Sequence, residues 1–185
     1  MVHPLKNDLK DILRLIDPSV WSVLKNKRLF ITGGTGFFGI WLLETLVFAS
    51  KELQINLAVD VLTRSVSKFQ SRAPHLASAP LINFIEGDVK DFTITTDKKY
   101  HFVIHAATES SESLNNNDPF EMMDTIVSGT KRVLEFSRKN AVKKLLFVSS
   151  GAVYGQQPAS ITHVDEDCTN GPDNYKAQPC HTRNH

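Results

Sequence analysis

The residues with the clearest chemical potential lie in one short run, Thr32-Gly33-Gly34-Thr35-Gly36-Phe37-Phe38-Gly39. Gly34, Gly36 and Gly39 fit the spacing G-x-G-x-x-G, and Gly33, Gly36 and Gly39 fit G-x-x-G-x-x-G. Glycine meets three needs in such a run. The turn uses positive φ, the backbone must approach a diphosphate closely, and the following helix must pack tightly on a sheet. With a helix opening at Phe37, the amides of Phe37, Phe38 and Gly39 lie at its N-terminus, where unused N–H groups and a partial positive charge attract phosphate. A tight strand-to-helix turn without any ligand uses the same residues, so the flanking elements decide between the two.

Those elements favour the phosphate reading. Leu29-Phe30-Ile31 is a short apolar run before the glycines, and Phe37 to Ala49 is a mostly apolar helix after them. Further apolar runs at Leu57–Leu62, Leu81–Ile85, Phe102–Ile104 and Leu145–Val148 read as strands, and Phe120 to Asn140 as a long helix. Short apolar strands separated by helical patterns predict parallel βαβ units, hence an α/β fold with a doubly wound parallel sheet. Ser65 to Pro80 reads as a helix-poor connection or a short helix with loops. Upstream, Leu5, Leu9, Ile12, Leu13 and Ile16 recur at helical spacing. Asp17-Pro18 ends that helix, and Ser19 is the expected cap of a short helix through Trp21 and Leu24. The expected organisation is a helical extension over 1–27, a nucleotide-binding domain over 28–178 and a tail over 179–185.

Bulk properties exclude several alternatives. The 185 residues carry a formal net charge of +1, which gives no footprint for nucleic acid or an anionic membrane. Charged residues interrupt the first segment, so it does not resemble a secretory signal. Ile40 to Ala49 contains Glu44 and falls well short of the ~20 apolar residues of a membrane span. The two cysteines, Cys168 and Cys180, form no disulfide framework, and a soluble cytoplasmic protein is expected. Cys180, His181 and His185 are too loosely spaced to predict a metal site.

With these residues in place, the chain resembles the extended short-chain dehydrogenase/reductase family of nucleotide-sugar epimerases and dehydratases. Beyond the glycine turn, the resemblance rests on Glu86-Gly87-Asp88-Val89, His105-Ala106-Ala107, Ser128-Gly129-Thr130 and Ser149-Ser150-Gly151-Ala152-Val153-Tyr154-Gly155, in family order across residues 28 to 178. It implies a Rossmann fold that binds NAD or NADP. Asp88 and Val89 would lie beside the adenine, with His105, Ala106 and Ala107 beneath the ribose and nicotinamide side. Taken alone, His105 is more often a packed, hydrogen-bonded histidine than a catalyst. The resemblance further implies that Ser150 hydrogen-bonds the reacting sugar oxygen and that Tyr175 acts as acid/base. Tyr154 comes too early for that role. A nucleotide sugar is the implied substrate of a full-length relative, and a homodimer the implied assembly.

The chain departs from the family pattern at several points. The lysine expected one helical turn beyond Tyr175 is Pro179, and Lys176, adjacent to the tyrosine, would point elsewhere. That cation lowers the pKa of a phenol whose reference value, ~10, makes it a poor base at neutral pH. Ile126 stands where many members carry asparagine. Gly151-Ala152 replaces the Asp-Glu pair of the 4,6-dehydratases, which disfavours water elimination. At the end of the second strand, Asp60 and Arg64 compete for the adenosine ribose. A carboxylate there suits a 2′-hydroxyl, and an arginine suits a 2′-phosphate. The expectation is a truncated epimerase or reductase lacking its C-terminal substrate domain. The alternative is a catalytically inactive dinucleotide-binding module. A sheet stopped after its fifth strand would leave an open edge and apolar surface. The 185-residue chain is therefore expected to self-associate, and a sharp monomer peak in gel filtration would contradict this.

Overall fold

The computed structural model describes residues 4–108, 118–155, 157 and 159–167. Its central strand, β1 (Lys27–Thr32), buries its last four residues, as a strand covered on both faces must. Leu29 and Ile31 enter one apolar cluster, and Phe30 between them enters another on the opposite face. α3 (Phe37–Glu52) follows β1 and leads to β2 (Leu57–Thr63). The chain then passes through α4 (Val66–Arg72) and α5 (Pro74–Ala77) to β3 (Ile82–Glu86). It returns to the far side of β1 as β4 (Phe102–His105), and α6 (Pro119–Lys139) carries it to β5 (Lys144–Phe147). All pairings are parallel and the order is β3-β2-β1-β4-β5. The direction of winding therefore reverses between β1 and β4, which opens a crevice at their carboxyl ends. This is the expected doubly wound parallel sheet.

Two local expectations need correction. The short helix α2 (Pro18–Leu24) is capped by Asp17, whose carboxylate accepts from the Ser19 amide at 2.7 Å. Ser19 is the donor rather than the cap, because Pro18 fits the first helical position and moves the cap back one residue. The stretch 65–80 is largely helical. Ser65 Oγ caps α4 by accepting from the Lys68 amide at 3.4 Å, and Pro74 opens α5. The first helix, α1 (Lys6–Leu15), packs against α3 with Leu9 buried, and Trp21 of α2 joins the cluster under β1. At the other end of the sheet β5 is an outer strand, with Leu146 59% and Phe147 47% exposed.

Two buried polar networks fasten the sheet. Asp60 lies in the middle of β2 and is 3% exposed, too deep to meet a ribose. Its carboxylate pairs with Arg28 Nη1 at 2.8 Å and accepts from the Tyr100 hydroxyl at 2.5 Å. The Tyr100 ring packs edge-on to Phe30 and Phe136, and burial, reinforced by Asp60, pushes its phenol pKa well up. His105, 2% exposed at the end of β4, makes the second network. Its Nδ1 lies 2.7 Å from Thr32 Oγ1 and its Nε2 3.1 Å from Thr130 Oγ1 of α6. Thr32 Oγ1 also accepts from the Ala107 amide at 3.1 Å.

Removing one partner of the Asp60 pair should destabilise the fold strongly. Asp60→Ala is expected to lower the unfolding free energy by about 3 kcal/mol, the scale for orphaning a buried charge. Tyr100→Phe should lower it by about 1 kcal/mol. Urea unfolding followed by circular dichroism measures both, and a neutral Asp60→Ala would refute the network's role. Burial also holds the His105 pKa below its ordinary value. The unfolded chain therefore binds its proton first, at about pH 6.5, and stability present above that pH is lost as pH falls. Melting temperature should drop between pH 7.5 and 5.5, and His105→Gln should flatten that slope.

Candidate dinucleotide-binding site

The glycine run forms the floor of the crevice. Gly33 has φ +75°, and a side chain on it would collide with the Ala106 carbonyl and the Ala107 amide. A side chain on Gly39 would overlap the Gly33 carbonyl and the Gly34 backbone, so the first turn of α3 lies directly on the loop. Gly34 faces Val61 Cγ1, which a β-carbon would meet at 2.8 Å. Both glycine spacings thus have steric causes: Gly34 clears β2, and Gly33 clears β4.

Gly36 closes the turn, donating to the Gly33 carbonyl at 3.0 Å, and then serves as the cap of α3 with no side chain over the helix end. The first intrahelical bond runs from the Ile40 amide to Gly36 at 2.9 Å. The amides of Phe37, Phe38 and Gly39 therefore lack intrahelical acceptors, an arrangement of N–H groups that would suit an anion. The rings of Phe37 and Phe38 are 72% and 80% exposed and do not cover it from within the core.

The remaining predicted residues surround this floor unevenly. Ala106 and Ala107 lie beneath the turn, held by the bond from the Ala106 amide to the Thr32 carbonyl at 3.1 Å. His105 turns its ring into the sheet, with both nitrogens engaged, and leaves only backbone to the crevice. Arg64 is exposed immediately beyond β2. Asp88, half-buried beyond β3, accepts from the Lys90 amide at 2.9 Å. Val89 is buried, and its methyls fill the space that a side chain on Gly129 would need. Ser150 is exposed beyond β5, where its carbonyl accepts from the Val153 amide at 3.2 Å and begins the 3₁₀ turn Gly151–Tyr154. Tyr175, Cys168, Cys180, His181 and His185 lie outside the described residues.

Sequence reasoning missed two contributors. Thr130 was seen only as part of a motif, yet it holds His105. Arg72, near the end of α4, donates to the Thr35 carbonyl at 3.4 Å and so reaches the glycine turn. No local pattern marks either contact, because each joins residues across a long sequence separation. Among the described residues, no cluster of three or more His, Cys, Asp or Glu could hold a metal, and no helix is long and apolar enough to cross a membrane.

Comparison with known proteins agrees with this architecture. The family described as "NAD dependent epimerase/dehydratase family" matches residues 29–182. UDP-glucose 4-epimerase of Yersinia pestis is 32% identical over 146 residues, covering 77% of this chain and 42% of the relative. A UDP-glucose 4-epimerase sequence from Klebsiella pneumoniae is 30% identical over 142 residues, covering 75% of this chain and 99% of the relative. A solved UDP-galactose 4-epimerase is 28% identical with a TM-score of 0.59, covering 78% of this chain and 45% of that one. A UDP-N-acetylglucosamine 4-epimerase from Methanobrevibacter ruminantium M1, 22% identical, shares the fold with a TM-score of 0.64, over 80% of this chain and 45% of that one. The chain thus spans about 42% of the length of its Yersinia relative. The match runs from the middle of β1 past the 3₁₀ turn and takes in every element of the crevice, so the chain belongs to the NAD-dependent epimerase/dehydratase family.

Proposed function

We propose that this chain binds NAD(H) or NADP(H) across the β1–β4 crevice as the nucleotide-binding part of a nucleotide-sugar epimerase or reductase. The observation that carries this reading is the bare amide nest of Phe37, Phe38 and Gly39. It sits on a turn whose Gly33 and Gly39 leave no room for a side chain. That cradle fits a diphosphate closely approached by backbone. A bound nicotinamide ring would supply the hydride acceptor and donor.

The chain's own groups have defined tasks in this scheme. Ser150 would hydrogen-bond the oxygen of the sugar carbinol, and Tyr175 would take its proton as hydride leaves the carbon and return it when hydride comes back. In the epimerase version the hydride returns to the opposite face. Asp88 and Val89 would border the adenine, the latter through its backbone, and Ala106 and Ala107 would lie under the ribose.

Pro179 favours a second reading, a dinucleotide-binding module without turnover. The sequence has no lysine four residues beyond Tyr175, where the family pattern places the cation that stabilises a phenolate. A cofactor titration run beside a turnover assay on UDP- and dTDP-sugars separates the two. Binding with turnover supports the enzyme, and binding alone supports the module. If the folded chain binds neither dinucleotide at millimolar concentration, both readings fail.

A single substitution tests the cradle itself. Phe38→Glu changes an exposed side chain and places a carboxylate in the first turn of α3, which helices tolerate well. That carboxylate would compete for the amides. Dinucleotide affinity should fall by about tenfold or more, roughly 1.4 kcal/mol, while the circular dichroism spectrum is retained. Unchanged affinity would place the diphosphate elsewhere.

A further inference from the structure

We propose that Lys90 is a positioning residue for the adenine end of the dinucleotide: its bridge to Glu121 and Asp124 of α6 fixes the loop that aims the Asp88 carboxylate. This rests on the dinucleotide reading above. Lys90 holds both ends of that arrangement. Its amide donates to Asp88 Oδ1 at 2.9 Å, while its ammonium donates to Glu121 Oε1 at 2.6 Å and lies 3.6 Å from Asp124 Oδ2. The Asp88 carbonyl also accepts from the Phe92 amide at 2.9 Å, so the turn that follows Asp88 fixes both its backbone and its side chain. Among the described residues no hydrogen-bond donor reaches Asp88 Oδ2, which leaves that oxygen for an exocyclic amine.

One stripe of α6 receives the whole loop. Glu121, Asp124, Ser128 and Arg132 recur at three- and four-residue spacing, so they lie one above another on the helix. Ser128 Oγ donates to Asp124 Oδ1 at 2.5 Å and holds that carboxylate beside the ammonium. Val89 seats its methyls where a side chain on Gly129 would have to go. Arg132 donates through Nε and Nη2 to the Phe92 carbonyl at 2.9 and 2.7 Å. The loop is thus fastened to α6 at three levels, and Lys90 is the fastening next to Asp88. Both carboxylates of the bridge are exposed, and ion pairs of that kind add little to folding stability. Lys90 can therefore be replaced with the sheet intact. What it supplies is the direction of a carboxylate, on which a hydrogen bond to a ligand depends steeply.

The test is isothermal titration of the full chain with NAD+, NADP+ and the hypoxanthine analogue of each, in which a carbonyl replaces the adenine amine. The unmodified chain should prefer the adenine form by about tenfold, the scale of a hydrogen bond to a charged acceptor. Lys90→Met should bring that preference to about twofold or less, and Lys90→Arg should restore it. Glu121→Gln combined with Asp124→Asn should act as Lys90→Met does, because it removes the other half of the bridge and keeps the ammonium. An unaltered preference in Lys90→Met would overturn the assignment, as would equal weakening of both forms. A preference retained in the double substitution would make the ammonium a direct ligand contact and overturn positioning. If the unmodified chain binds both forms alike, Asp88 does not meet the amine, and the assignment falls while the dinucleotide reading stands. If a chain that remains folded by circular dichroism binds none of the four, the dinucleotide reading itself fails.

Discussion

Steric contact between the Gly33–Gly39 turn and the Ala106 carbonyl governs the geometry of this molecule's upper rim. β1 and β4 are neighbours, so their carboxyl ends emerge side by side, and the loop leaving β1 must clear the strand arriving next to it. Only a loop without a side chain at Gly33 can do so. The same economy of atoms leaves the first amides of α3 uncovered, and an anion can then approach to hydrogen-bond distance. Packing and ligand chemistry therefore have one cause. The glycines that let α3 lie against the sheet are the glycines that expose its positive end.

The sheet beneath this rim is stiffened by two buried polar networks. Asp60, Arg28 and Tyr100 link β2, β1 and the segment before β4, while Thr32, His105 and Thr130 link β1, β4 and α6. Each buried polar atom named here has a partner, as burial demands. His105 stands at the end of a strand that forms the crevice, its ring is buried against Thr32 and Thr130, and burial holds its pKa below the ordinary value. Its contribution to the site is the fixed path of the Ala106-Ala107 backbone.

What could be read from the residues alone follows a physical divide. Strand periodicity, helix length and the glycine spacing are local, and each of β1 to β5 lies within two residues of its expected limits. The exposed Arg64 and the inward Asp60 were both visible as candidates, because Val61 and Leu62 extend the strand beyond the aspartate. Other features depend on partners far away in the chain. The Arg28–Asp60 pair, the Thr130 hydroxyl on His105 and the Arg72 contact with Thr35 join residues that no spacing rule connects. The helical content of 65–80 was understated because two prolines suggested loops. One of them, Pro74, instead takes the first position of α5, where its missing amide is harmless.

The topology also has a kinetic consequence. β1 is the first strand to leave a ribosome, yet its two neighbours are β2 and the much later β4. Until β4 is synthesised, the apolar edge of β1 has no native mate, and closing that loop carries an entropic cost without local reward. Phe30 waits longest for its neighbours, because Phe92, Tyr100, Val103, Val133 and Phe136 all follow late, whereas Ile31 finds Trp21, Leu43, Leu46 and Val59 earlier in the chain. α2, translated just ahead and packing Trp21 beneath the strand, is the earliest native cover that one face receives.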